Sequence, residues 1–287
     1  MGRLIVNADD FGLTSGVNRA IIELHQAGVV TSTSLMARAG ATEEAVELAR
    51  SNPTLGIGCH LVFVDGEPVL PPSQISTLVD ARTGRFRSSL AAFLARLYTG
   101  RIRAAEIEAE ASAQIAFLQR CGLSLTHIDT HKHTHVFRAV LRPVLRAARA
   151  RGIRAVRNPF EPAWSVRATH GAPWRRLAQV TSMRWLEPVS RRIMAENGFV
   201  TTDGTIAVAG TGTLDAAALR SLLRDLPDGT WELVTHPGYN DADLGRVRTR
   251  LRASRDVERA ALLGLKELPA IKLGSFAGLE PKVLSTG

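Results

Sequence analysis

The densest set of chemically active side chains in this sequence lies in nine residues, HIDTHKHTH, from His127 to His135. Histidines occupy positions 127, 131, 133 and 135, and an aspartate occupies position 129. Side chains of an extended strand alternate between its two faces, so this spacing predicts that all five point the same way. Several imidazoles on one face are typical of a metal site.

One ion cannot bind the whole row. Side chains at i and i+2 of a strand lie roughly 6 to 7 Å apart, whereas metal–ligand bonds are about 2 Å long. The row can therefore supply one or two ligands, and the others must come from elsewhere in the chain. Four further candidates have suitable side chains: Asp9, Asp10, His60 and His236.

Each candidate falls at or near the end of a predicted strand. Short runs rich in β-branched residues, bounded by glycine or polar residues, predict these strands. The predicted strands span residues 3–9, 29–36, 54–64, 123–129, 155–157, 231–238 and 270–273, with one or two short strands within 199–208.

Segments with apolar residues at helical spacing separate the strands. The connection 65–87 contains proline and glycine and is long for a compact domain, so we expect it to be functional, as a lid or a binding loop. Residues 158–173 hold three prolines and are expected to be irregular. The predicted helices span residues 17–27, 42–50, 88–120 with a break near Gly100, 136–151, 174–197, 215–223 and 244–263.

Alternating strands and helices predict a parallel sheet covered by helices, because parallel connections need a dozen or more residues. We expect one α/β domain over residues 1–287, built as a closed or incomplete (β/α) barrel of the TIM type with about seven parallel strands. No GxGxxG follows the first strand to favour a dinucleotide-binding fold. The carboxyl ends of barrel strands meet on one rim, so the candidate residues are expected to converge there.

Composition limits the classes of protein. The chain has 287 residues and 45% hydrophobic content, which suffices for a large core. Cys59 and Cys121 are too few for a disulfide framework. The first residues hold too short an apolar run for a signal peptide, and no stretch reaches the ~18 apolar residues of a membrane span. The sequence therefore predicts a cytoplasmic protein.

The net charge of +9 comes mainly from arginine. Many arginines lie in helix-like segments, among them 142–157 and 246–259. Such a charge can favour nucleic acid, anionic lipid or a phosphorylated ligand. No basic motif with interleaved aromatic residues is present, so we interpret these arginines as a solvated surface and expect no nucleic-acid partner.

Four motifs together resemble the YdjC-like carbohydrate deacetylases, which include chitooligosaccharide deacetylases and hopanoid-associated relatives. They occur in the family's order, and the resemblance extends from residue 3 to about residue 276. It implies a (β/α) barrel-like fold, one divalent metal ion and removal of the acetyl group from an N-acetylated sugar. The motifs are NADDFG at 7–12, GCHL at 58–61, HIDTHKH at 127–133 and THPGY at 235–239.

The same resemblance implies roles for five residues: Asp10, His60 and His131 as metal ligands, Asp9 as general base and His236 as general acid. Amide hydrolysis needs an activated water, a stabilised oxyanion and a proton for the leaving amine, and such a set can supply all three. Adjacent residues of a strand face opposite ways, so the two aspartates need a twist at the strand end to ligate one ion. A general base at Asp9 and a metal ligand at Asp10 suit side chains that face opposite ways.

Asp129 could orient an imidazole by accepting its second N–H, and His127 and His133 could support the ligands or line the pocket. Two imidazoles and one carboxylate suit zinc, manganese, cobalt or iron, and the family is commonly described with magnesium, so the ion is expected to be Mg²⁺ or Zn²⁺.

Two other functions remain open. A different metal-dependent hydrolase, such as a phosphoesterase, is favoured if Arg154 and Arg157 point into the site. A basic protein that binds nucleic acid or membranes without catalysis is the less favoured one.

The substrate could be an oligosaccharide or a glycolipid, and a glycolipid would bring peripheral membrane contact. Residues 162–192 hold three tryptophans that could stack on a sugar, touch lipid or pack between subunits, although helical spacing predicts core packing for Trp185. A homodimer is the commonest assembly for soluble oligomers.

Overall fold

A curled parallel sheet forms the centre of the computed structural model, which describes residues 2–169, 171–224, 226–267 and 271–280. The strands are β1 Arg3–Phe11, β2 Ser32–Leu35, β3 Gly56–Leu61, β4 Leu125–Thr130, β5 Gly204–Ile206, β6 Thr230–Thr235 and β7 Lys272–Leu273. They follow the order β4-β3-β2-β1-β6-β5, and β7 pairs with the start of β1. Every pairing between these strands is parallel, as in an incomplete (β/α) barrel.

Helices connect successive strands and bury their apolar faces against the sheet. Thr14 caps the first helix by accepting a hydrogen bond from the backbone N–H of Val17, as its position after a strand predicts. The α-helices are α1 Ser15–Gln26, α2 Thr42–Ser51, α3 Leu90–Tyr98, α4 Ala104–Arg120, α5 Arg138–Ala150, α6 Ala163–Ala168, α7 Trp174–Met183, α8 Glu187–Glu196, α9 Ala216–Arg224, α10 Ala242–Arg246 and α11 Ala253–Leu263. Short 3₁₀ segments occupy Pro72–Gln74, His131–Val136, Arg184–Leu186, Gly264–Glu267 and Phe276–Gly278.

The open side of the curled sheet lies between β4 and β5, and residues 155–160 cross it. Val156 forms a parallel bridge with Ile128 of β4, and Ala155 forms one with Val200. The backbone N–H of Thr205 in β5 donates to the carbonyl of Phe160. The predicted strand 155–157 is therefore present only as isolated bridges. No regular strand of the described residues closes the barrel between β4 and β5.

Two other predictions of local structure were wrong. The helix expected over 244–263 is two helices, α10 and α11, with residues 247–252 in an irregular loop between them. The region 158–173 contains the short helix α6. The predicted last strand begins at residue 270, outside the described residues, and its described part is β7.

The long connection 65–87 is anchored to α4. Glu110 accepts hydrogen bonds from the backbone N–H groups of Val69 and Leu70, and Glu106 accepts one from that of Thr77. These buried carboxylates replace the ladder bonds that an irregular segment lacks. The connection 65–87 is thus fixed against α4.

In the described part of the chain, no helix combines the length and apolar character needed to cross a bilayer. Both cysteines are free thiols. A single domain over residues 1–287 stays a prediction.

Candidate active site

Three side-chain atoms meet at the carboxyl ends of β1, β3 and β4. Asp10 Oδ1 lies 3.7 Å from His60 Nε2 and 3.4 Å from His131 Nδ1, and the two nitrogens are 3.3 Å apart. Ligand atoms around a tetrahedral ion with bonds of about 2.1 Å lie about 3.4 Å apart, so this triangle has the size of a metal site. Asp10 Oδ1 is buried and accepts no hydrogen bond from the described residues, as expected of an atom kept for a cation.

A bulge in β1 turns Asp10 toward this triangle. The register between β1 and β2 shifts between Ala8 and Phe11, and Asp10 has a left-handed backbone with φ of 68°. Non-glycine residues seldom adopt such a conformation, and aspartate is among the more tolerant types. The twist that two adjacent aspartates need in order to approach one site is therefore present.

Asp129 of β4 orients the imidazole of His60. His60 Nδ1 donates to Asp129 Oδ1 at 3.0 Å, which leaves Nε2 directed at Asp10 and His131. A ligand imidazole is usually held in this way by a carboxylate. Burial disfavours the charged form of His60, but the carboxylates of Asp129, Asp9 and Asp10 raise its pKa to about 9. The carboxylates around His60 thus favour a positive charge beside its imidazole.

Asp9 is held by a buried arginine. Arg157 Nη1 donates to Asp9 Oδ2 at 2.8 Å and Nη2 donates to Oδ1 at 2.6 Å, and Asn7 donates to Oδ1 at 2.9 Å. Arg157 also pairs with Asp129 at 2.5 Å and Glu232 at 2.7 Å. Asp9, His60 and Asp129 form a second cluster of suitable size, but Arg157 already neutralises two of its members. The first triangle is therefore the better candidate for a metal site.

Asp10 also contacts an arginine, but through one oxygen only. Arg255 Nη2 donates to Asp10 Oδ2 at 2.5 Å, on the side away from the imidazoles. Burial alone would raise the pKa of Asp10, but Arg255 and His131 hold it well below its usual range. Asp10 is therefore ionised at neutral pH and keeps one oxygen for a ligand.

His236 follows β6 and faces Asp9, with Nε2 3.9 Å from Asp9 Oδ2. Its backbone N–H donates to Glu258, and its Nδ1 has no partner among the described residues. Burial lowers the pKa of His236 to about 4. The imidazole is therefore neutral at pH 7, and a general acid at this position must first receive a proton.

The predicted common face of residues 127 to 135 was wrong, because β4 ends at Thr130. Lys132 and His133 then adopt left-handed backbone conformations within a 3₁₀ turn. His127 lies inside the barrel, hydrogen-bonded to Ser34 and stacked on Phe276 at a centroid distance of 3.8 Å.

His135 is also buried and contacts the backbone carbonyl of Arg157. His133 lines the cleft, and its Nδ1 has no partner in the described part of the chain. Within the row, only His131 therefore reaches the metal triangle.

The triangle opens into a cleft of about 1160 Å³. Leu90 and Leu94 of α3 form one apolar wall, and Val180 and Met183 of α7 form another. The loop 247–252 supplies cationic side chains to the cleft. Such a mixture of apolar walls with a few polar groups at the base is typical of a small-molecule site.

No sequence pattern indicated the two arginines that hydrogen-bond to Asp9 and Asp10. Charge patterning predicts a solvated surface for both Arg157 and Arg255, yet they are 0% and 1% exposed. Their partners lie about 150 and 245 residues away, and no local pattern marks such a pairing. Arg154 is exposed, so of the two arginines that would favour a phosphoesterase only Arg157 reaches the site, and carboxylates occupy it.

The expected core packing of Trp185 was also wrong, because this side chain is 86% exposed. It lies in the 3₁₀ turn that follows α7. Trp174, at the start of the same helix, is 72% exposed.

Curated relatives named carbohydrate deacetylase cover much of the chain. One from Brevibacillus brevis is 44% identical over 146 residues, which cover 51% of this chain and 55% of that protein. One from Thermoanaerobacter pseudethanolicus is 30% identical over 91% of both chains. One from Mus musculus is 32% identical over 83% of this chain and 78% of its own.

Solved structures agree on the fold. A protein from Enterococcus faecalis, provisionally described as a cellobiose-phosphate cleavage protein, superposes with a TM-score of 0.73 at 25% identity, over 96% of this chain and 97% of its own. A lactam utilization protein from Thermus thermophilus has a TM-score of 0.51 at 17% identity, over 92% and 96% of the two chains. Residues 3–268 match the YdjC-like protein family. Sequence and structure together place this chain in the YdjC-like family.

Proposed function

We propose that this chain is a metal-dependent carbohydrate deacetylase that hydrolyses the acetamide of an N-acetylated amino sugar. The observation that carries this proposal is the triangle of Asp10, His60 and His131, beside a second carboxylate, Asp9, that an arginine holds in place. The names of the relatives supply the substrate class, and the donor set supports hydrolysis.

Asp10 Oδ1, His60 Nε2 and His131 Nδ1 would hold one divalent ion. A metal with open positions polarises an amide carbonyl and activates water for attack. Two imidazoles and one carboxylate suit Zn²⁺ among several ions, and Mg²⁺ remains the other candidate.

Asp9 would act as the general base. The bidentate contact with Arg157 fixes both of its oxygens, so the carboxylate has one orientation toward the triangle. As water attacks the acetyl carbon, Asp9 accepts the proton that the water loses. Positioned proton transfer of this kind typically contributes about 10² to 10⁴ in rate.

His236 would deliver a proton to the leaving nitrogen. It is neutral before the reaction because burial lowers its pKa to about 4. Its Nε2 lies 3.9 Å from Asp9 Oδ2, which is longer than a hydrogen bond. Once the two groups close to hydrogen-bond distance in the substrate complex, His236 would receive the proton that Asp9 has accepted and pass it to the amine. When the C–N bond breaks, acetate and a free amino sugar leave the site, and both carboxylate and imidazole return to their starting states.

The cleft could accept either an oligosaccharide or the sugar of a glycolipid. Its apolar walls from α3 and α7 suit a sugar face or a lipid chain. The exposed Trp174 and Trp185 offer a surface for peripheral membrane contact with a glycolipid, or for a second copy in a homodimer. The cytoplasmic location stays a prediction.

The test measures acetate release after chelation and after addition of Mg²⁺ or Zn²⁺. The substrate panel holds N-acetylated chitooligosaccharides, an N-acetylglucosaminyl lipid in vesicles and a phosphomonoester. We expect metal-dependent acetate release from one of the acetylated substrates. Release of phosphate, or acetate release that is equal with and without metal, would contradict the proposal.

Asp9→Asn is the matched variant, because it keeps the shape of the side chain and removes the base. We expect it to retain bound metal and to lose about 10² to 10⁴ in turnover. A turnover near that of the wild type would assign the base to another group.

A further inference from the structure

Arg255 lies outside the triangle of metal ligands, yet it contacts one of them directly. It belongs to the first turn of α11, and its side chain is 1% exposed. Nη2 donates to Asp10 Oδ2 at 2.5 Å, and Nε donates to the backbone carbonyl of Leu251 at 3.1 Å. The guanidinium thus links a ligand carboxylate to the end of the loop 247–252.

The surrounding chain makes room for this arginine. A Cβ atom at Gly238 would lie 3.0 Å from the Cδ atom of Arg255, so a side chain at position 238 would crowd its stem. Gly238 lies two residues after His236, and its backbone N–H donates to the carbonyl of Arg255. The arginine therefore packs between the loop that carries His236 and the strand that carries Asp10.

Not every donor of Arg255 is paired. Its Nη1 is buried without an acceptor among the described residues. An unpaired buried donor is unfavourable, and such a group in a folded protein calls for an explanation. Arg255 nevertheless lies beside Asp10, where its Nη2 occupies Oδ2 and leaves Oδ1 turned toward the imidazoles of His60 and His131.

We propose that Arg255 is a positioning residue for the metal site, which fixes Asp10 as a ligand through a single oxygen. This inference rests on the proposed function, because it requires a divalent ion at Asp10, His60 and His131. A positive charge near the ion also repels it, so the two effects of Arg255 on metal affinity have opposite signs. We expect the positioning effect to outweigh the repulsion. Without Arg255, the buried carboxylate of Asp10 would lose the partner of its Oδ2 and would no longer be held in one orientation.

The experiment measures the dissociation constant for Zn²⁺ by competition with a chromophoric chelator, in the full chain. Arg255→Met removes the charge and the hydrogen bonds, and Arg255→Lys keeps the charge but not the fork of donors. Loss of a group that holds a metal ligand typically weakens metal binding about 10- to 100-fold, which we expect for Arg255→Met. Arg255→Lys should lie between it and the wild type. Excess Zn²⁺ should restore most of kcat, because the ligands themselves remain.

Arg259→Lys is the matched control, since Arg259 is one turn further along α11 and pairs with Glu23 instead of Asp10. We expect a dissociation constant close to that of the wild type. Circular dichroism melting identifies a variant that does not fold, in which case Arg255→Lys carries the test.

The possible failures separate this inference from the proposed function. Unchanged or tighter Zn²⁺ binding in a folded Arg255 variant overturns the positioning role and leaves the proposed function intact. No binding of Mg²⁺ or Zn²⁺ by the wild type overturns the metal site itself and this inference with it.

Discussion

Two histidines of the segment HIDTHKHTH, His127 at its start and His131 at its middle, have different surroundings. His131 is 20% exposed at the cleft and lies 3.4 Å from Asp10 Oδ1. His127 is 0% exposed, hydrogen-bonded to Ser34 and Thr126, and stacked on an aromatic ring. Burial lowers the pKa of His127 to about 3.

Backbone geometry produces this difference. His127 lies within β4, so its side chain is directed by the strand into the filled interior. His131 begins the 3₁₀ turn after Thr130, on the rim where the strands end. Barrel folds place catalytic groups at that rim and packing residues deeper. The position of a histidine relative to the end of its strand therefore decides whether it reaches the candidate metal site or packs in the core, and the spacing alone does not.

The largest effect that would test this comparison is in His131→Ala. We expect loss of bound metal and a fall in acetate release of at least about 1,000-fold, because a metal contributes several kcal/mol to the transition state at about 1.4 kcal/mol per tenfold. Elemental analysis and acetate release measure the two effects. His133→Ala, two residues further on, should retain the metal. Full occupancy in His131→Ala would remove His131 from the ligand set.

Sequence patterns predicted the features that depend on local order. Alternating strands and helices predicted the parallel, barrel-like sheet, and strand ends predicted which polar residues would converge. Asp10, His60 and His131, from three separate segments, do come within 3.7 Å of one another. They converge because the carboxyl ends of parallel strands lie on the same rim of the sheet, whatever the length or sequence of the connecting loops.

Features that depend on tertiary contacts could not be predicted. Nothing near Arg157 in the sequence indicates that it will be enclosed by Asp9, Asp129 and Glu232. Charge patterning favours a solvated surface for any arginine in a basic segment, and only the buried carboxylates reverse that preference.

The adjacent aspartates indicated a twist at the end of β1, but not its form, which is a shift in the register with β2 and a φ of 68° at Asp10. The break between α10 and α11 was not predicted either. Helical spacing continues through residues 247–252, but in the structure these residues form a loop that lines the cleft.

An effect of intermediate size concerns acid stability. The pKa of His127 is lowered to about 3 in the folded protein, below the unfolded value of about 6.5, because burial disfavours its charge. As the pH falls below about 6.5 the unfolded chain binds a proton that the folded protein cannot, so the free energy of unfolding decreases. One such histidine lowers it by about 2 kcal/mol between pH 7 and pH 5.

His127→Gln removes this proton uptake. We expect urea unfolding of this variant to lose about 2 kcal/mol less than the wild type between pH 7 and pH 5. His60 does not obscure the result, because its raised pKa affects stability only above about pH 6.5. Equal pH dependence in variant and wild type would show that His127 becomes protonated without unfolding.

The smallest effect lies in the 3₁₀ turn that follows β4 and begins at His131. His133 has a left-handed backbone with φ of 51°, which costs a non-glycine residue roughly 1 to 2 kcal/mol, whereas glycine adopts it freely but loses more entropy on folding. His133→Gly and His133→Ala both remove the imidazole, and only the glycine variant removes the backbone cost. The free energy of unfolding should therefore be higher for His133→Gly than for His133→Ala by up to about 1 kcal/mol, measured in urea at one pH. A more stable alanine variant would mean that the turn does not hold this conformation in solution, and the position of His131 on the rim would then need another explanation.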